Sequence, residues 1–151
     1  MEITELLERL GKDTGLGLMA LDEASTCTFL VDEMKVSFLY IPQGGNLLLF
    51  AEAGELPGEH SPALLLSVLQ ANYLFRGTAG ATLAVRPDSK TLFLNRSLRL
   101  DTISYDDFVQ ALSDFTDTLA EWKRLIADYR PTASEPKAPS SDTIPAGGIP
   151  I

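Results

Sequence analysis

The sequence predicts an α+β domain: a helix, a three-strand antiparallel meander, a second helix, a two-strand hairpin and a long C-terminal helix. Three observations carry this prediction. Apolar residues recur at steps of three and four near both ends of residues 1–130. Between those ends, three apolar runs of strand length are separated only by short polar or turn-forming stretches. A Pro-Asp-Ser turn divides two further runs of the same kind. Antiparallel pairs with helices in blocks, rather than strict strand–helix alternation, point to the α+β class.

The first helix is read from residues 2–11, where Ile3, Leu6, Leu7 and Leu10 line one face. Gly11 and Gly15 are expected to interrupt it. Strands follow at 27–32 (CTFLVD), 35–41 (KVSFLYI) and 46–53 (NLLLFAEA). DEM and PQGG lie in the connections, which are of hairpin size. Ser61 and Pro62 mark a helix start, because proline at the first helical position gives up an N–H that has no partner there. That helix is expected to run to about Phe75, with Gly77 and Gly80 ending it. ATLAVR at 81–86 and KTLFLN at 90–95 form the second hairpin. The last helix begins near Ser104, and Asp106 and Asp107 suit the positive end of its dipole. Phe108, Leu112, Phe115, Leu119, Trp122, Ile126 and Tyr129 then form a continuous stripe.

Residues 1–130 are read as one domain and residues 131–151 as a flexible Pro-rich tail or linker. Five of the nine prolines fall in that last stretch and it has no aromatic residue, so it lacks the apolar surface needed to order itself. No apolar run approaches the roughly 18–20 residues of a membrane helix. The N-terminal residues are acidic and amphipathic rather than basic and then apolar, which argues against a signal peptide and for a cytoplasmic protein. A net charge of −9 repels phosphate backbones and argues against nucleic acid as a partner.

The chemistry-bearing residues are sparse. GLGLMA at 15–20 matches a dinucleotide-loop pattern but follows a helix and precedes a strand, the reverse of what that site needs. The chain has one cysteine, Cys27, in an apolar strand, where a buried structural thiol is the plain reading. It has one histidine, His60, in a polar loop, read as a surface residue. Neighbouring carboxylates at Asp106 and Asp107 diverge on a helix, so they read as a helix start. No catalytic, cofactor or metal constellation results, and an enzyme is not expected.

The stretch LLLSVLQANYLF at 64–75 raises a different question, since nine of its twelve residues are apolar. One side of such a helix packs on a sheet; the other needs a cover. Exposing three or four such side chains forgoes roughly 1.5–3 kcal/mol each. A two-fold homodimer is the simplest closing cover for one kind of chain, and a long C-terminal helix lying over it is the competing one. The strands pose the same question, because TFLV, SFLYI and LLLF carry apolar residues on both faces.

In order, length and charge the chain resembles the small acidic chaperones of bacterial type III secretion, the CesT/Tir-type family of class I effector chaperones, over about residues 3–127. The carriers are ELLERLGKDTGLG, TCTFLVD, LLLFAEAGELP, LLLSVLQANYLFRGTAGATLAVRPDSKTLFLN and FTDTLAEWKRLI, with Leu-x-Ala-Asn at Leu69–Asn72 the most telling. The resemblance implies three helices and about five strands, and a homodimer built largely through the second helix and the strand region after it. It also implies a function: holding the N-terminal segment of a secreted effector in extended form, competent for export, without a nucleotide or other cofactor.

The family has no motif that fixes contact residues, so candidates follow from placement. For the effector they are Leu6, Leu7 and Leu10 on the first helix and Leu30, Leu39 and Ile41 on the first hairpin, each with core packing as the competing role. For the dimer they are Leu65, Leu69, Tyr73 and Leu83. Two other readings stay open at this point: a dimeric α+β adaptor outside secretion, and a small-molecule binder or enzyme with an apolar pocket.

Overall fold

The first apolar stripe folds as α1 (Ile3–Thr14) and ends at Gly15, whose left-handed backbone closes the helix. Gly11 does not interrupt it. The helix runs through Gly11, which is buried because the chain returning from Gly15 crosses directly over it. These positions belong to a computed structural model, which describes residues 1–58 and 61–130. His60 and the tail 131–151 lie outside the described residues.

Five antiparallel strands follow the expected order: β1 (Thr26–Val31), β2 (Met34–Ile41), β3 (Asn46–Glu55), β4 (Thr82–Val85) and β5 (Thr91–Arg99). Their order across the sheet is β1-β2-β3-β5-β4, so β1 and β4 are the edges. Asp32 and Glu33 join β1 to β2 with positive φ at both residues, as the tightest hairpins require. The register shifts between Glu52 and Gly54, where α3 comes close to the strand: a Cβ on Gly54 would meet Cγ2 of Ile126 at 3.0 Å.

The alternation of β1–β3 sorts side chains by face. Phe29, Phe38 and Leu49 point to a face covered by α1 and by α3 (Tyr105–Asp128). Phe38 meets Phe29 and Phe108 edge to face at 4.7 and 5.9 Å, linking β1, β2 and α3 in one core. Leu39, Leu48, Phe50 and Phe93 point the other way and are half-buried. Among the described residues no helix lies over them.

The second helix, α2 (Pro62–Asn72), is shorter than expected. A single 3-10 turn at Tyr73–Phe75 replaces its last turn, with Leu74 and Phe75 in left-handed backbone. Pro62 opens α2, but the Ser61 hydroxyl donates back to the Pro57 carbonyl at 2.6 Å instead of capping the helix. By contrast, the Ser104 hydroxyl oxygen accepts the Asp107 N–H at 3.1 Å and caps α3. The Trp122 indole donates to the Gly77 carbonyl at 2.9 Å, tying α3 to the segment after α2.

Candidate functional site

Among the described residues no three His, Cys, Asp or Glu side chains gather where a metal ion would sit. Cys27 is buried; desolvation raises its thiol pKa, and Asp22 nearby adds to the rise. Such a thiol is a poor nucleophile.

The first apolar surface is the outer side of α2 and the turn that follows. Leu64 and Val68 face inward and are 4% and 5% exposed. Leu65, Leu66, Leu69 and Tyr73 remain exposed, Leu69 at 67%. The break at Tyr73 adds Leu74 and Phe75, also exposed. Leu83 is not on this surface: it is 3% exposed and packs in the core, because its position on β4 turns it toward the covered face.

The second surface surrounds β1. Leu6, Leu7 and Leu10 are at most 1% exposed, because the stripe that makes α1 amphipathic is the one that packs on the sheet. Leu10 stands in the wall of a cleft of about 340 Å³ that Leu16, Leu30 and Val109 share, and Leu7 lines a smaller one beside Leu18. Leu30 is 59% exposed on the outer side of β1, and Leu18 on the adjoining loop is 90% exposed. Leu39 and Ile41 stand half-buried on the uncovered sheet face. Farther across that face Phe50, Ala84, Val85 and Phe93 line a cleft of about 440 Å³.

The two sheet edges differ. The tight turn pairs Val31 with Met34, so Phe29 and Cys27 bond to β2 while Thr26, Thr28 and Leu30 turn their backbone outward. Thr26 is occupied: its N–H donates to the Asp22 carboxylate at 2.9 Å and its carbonyl accepts the Asp22 N–H at 2.8 Å. No such contact engages Thr28 or Leu30 among the described residues. On β4 the Leu83 N–H donates to Asn72 Oδ1 at 2.9 Å, and the Leu83 carbonyl accepts from Asn72 Nδ2 at 3.0 Å.

The sequence reading did not pick out Leu16, Leu18, Val109, Phe50 or Phe93. A signal for the first two was present, since leucines next to Gly15 and Gly17 in a loop have little to pack against.

The model of the Tir chaperone protein (CesT) family matches residues 5–123. A Tir chaperone from Citrobacter freundii is 27% identical over 99 residues, covering 66% of this chain and 63% of the relative. The chain thus spans less than two thirds of that relative's length. Among solved structures, the HopA1–SchA chaperone–effector complex superposes with a TM-score of 0.67 at 15% identity, over 80% of this chain and 91% of the other. The Yersinia pestis type III secretion chaperone SycH, in complex with a stable fragment of YscM2, gives 0.63 at 21% identity, over 79% and 98%. At these identities the likeness is one of fold.

Proposed function

The chain belongs to the Tir chaperone protein (CesT) family, and from that premise we propose that it is a cytoplasmic chaperone for a type III secreted effector. It binds the effector's N-terminal segment in extended form and keeps it stable and fit for export. The observation that carries this reading is the open edge of β1. Among the described residues the outward backbone groups of Thr28 and Leu30 have no partner, and they stand beside the apolar cleft of Leu16, Leu30 and Val109. An extended peptide adds to such an edge by backbone hydrogen bonds and sets alternate side chains into the cleft. Leu39 and Ile41 stand half-buried on the opposite face of the sheet, the side toward which the peptide's other side chains point.

Two copies pair through the outer side of α2, with Leu65, Leu69 and Tyr73 at the contact. Leaving that surface wet is costly, and a two-fold interface covers it on both chains at once. The net charge of −9 keeps the loaded complex soluble. Binding of this kind requires no catalytic group.

The test is purification of the tagged full chain from cells that secrete effectors, followed by mass spectrometry and limited proteolysis. Recovery of one larger exported protein, protected along its N-terminal portion, supports the reading. Recovery of the chain alone, or with a partner that is never exported, favours an adaptor outside secretion.

A further inference from the structure

An edge strand turns half of its N–H and C=O groups outward, which makes it a template for any passing strand. On β4 the alternation is fixed by the Arg86 N–H, which donates to the Thr91 carbonyl at 2.9 Å. Thr82 and Ala84 therefore bond to β5, while Leu83 and Val85 face outward. At Leu83 both outward groups are taken by a single side chain: the Asn72 carboxamide accepts from the N–H at 2.9 Å and donates to the carbonyl at 3.0 Å. A carboxamide has the same donor and acceptor as a backbone peptide. Asn72 thus occupies the place that a residue of a sixth strand would take.

We infer that Asn72 closes the β4 edge against strand addition, so that an added strand is directed to β1 at Thr28 and Leu30. The placement of Asn72 at the last residue of α2 explains the break that follows it. Its side chain is held by β4, and the chain turns through left-handed Leu74 and Phe75 to reach that strand. The same two bonds fix α2 against the sheet edge and so set where its outer apolar side stands. Direction of the effector strand to β1 rests on the chaperone reading; closure of β4 does not.

The test uses the full chain with Asn72→Ala and Asn72→Asp. The first removes both bonds. The second keeps the shape but sets a carboxylate oxygen against the Leu83 carbonyl. Hydrogen exchange at the Leu83 amide is expected to be about tenfold faster in Asn72→Ala, the change that loss of one ordinary hydrogen bond produces. Amides of Leu92 and Leu94 stay protected, which shows that the sheet is intact. Sedimentation shows species larger than the wild type, growing with concentration. Val85→Pro in the Asn72→Ala background reverses that growth, since it removes an outward N–H that no ladder bond uses. Wild-type exchange at Leu83 in both variants, or association that persists with Val85→Pro, overturns the proposal. If these results hold and no exported partner is found, closure of β4 stands and only its link to an effector falls.

Discussion

The amide of Gly17 donates to the carbonyl of Gly11 at 3.2 Å, where the chain leaving α1 folds back across its own helix. The crossing is so close that a Cβ on Gly11 would overlap the Gly17 carbonyl oxygen. It sets the course of the loop that carries Leu16 and Leu18 past the outer edge of β1, and so one wall of the cleft there.

Gly11→Ala sets two effects against each other. Alanine favours a helix interior over glycine by about 1 kcal/mol. Overlap with a backbone oxygen forces the loop away, and overpacking of this kind costs about 1–3 kcal/mol. The variant is therefore expected to be no more stable than the wild type, and less stable by up to about 2 kcal/mol. Urea unfolding with an unchanged slope checks this. A clear gain in stability would mean that the loop moves aside without loss.

Leu69 is the most exposed leucine of α2. In a two-fold interface it occurs twice, and burying each copy is worth about 1.5–3 kcal/mol. Leu69→Asp is expected to weaken dimerisation at least about a hundredfold while leaving the monomer folded, as read by sedimentation and circular dichroism. An unchanged dimer mass would place the interface elsewhere.

Leu30 and Leu6 separate binding from folding. Leu30→Glu changes a side chain that is 59% exposed, so stability should stay within about 0.5 kcal/mol of wild type. Affinity for the effector segment is expected to fall by roughly ten- to a hundredfold, measured by calorimetry with the purified segment. Leu6→Ala removes a fully buried side chain and should cost about 2–5 kcal/mol of stability. A Leu30→Glu variant that binds as well as wild type would remove the β1 edge from the contact.

The order of the elements was legible because it depends on local spacing. Leu6, Leu7 and Leu10 mark α1, and the stripe from Phe108 to Ile126 marks α3. What a helix stripe does not say is whether its apolar side faces the core or a partner. Leu10 and Leu69 look alike as sequence, yet one is 1% and the other 67% exposed. That difference is decided by which side each helix turns to the core: Leu10 belongs to the buried cluster, whereas α2 gives Val68 to that cluster, contacts β4 and leaves Leu69 outside. Leu83 fell in the core for the related reason that strand parity at an edge depends on register, which neighbouring turns and pairing decide. The early end of α2 coincides with the bond from Asn72 to a strand residue eleven positions away, a contact that local spacing does not reveal.

Cys27 provides a test of burial on the β1 side. Desolvation raises its thiol pKa, the negative charge of Asp22 raises it further, and a hydrogen bond from the Ala20 backbone opposes them. The folded state therefore holds the proton more tightly than the unfolded chain does. Its contribution to stability is full below the ordinary thiol pKa of about 8.5 and is lost as pH rises through the higher folded value. Tyr105 is shifted upward too, chiefly by desolvation and then by its bond to Asp13, so both groups weaken the fold at alkaline pH. Cys27→Ala isolates the thiol: the stability difference from wild type should be flat from about pH 6 to 8 and change only above that range. In the native protein at pH 8 a thiol reagent should label Cys27 no faster than the chain opens, and urea should release the reaction. Rapid stoichiometric labelling of the folded protein would show that the loop from Leu16 to Leu21 leaves β1 open at Cys27.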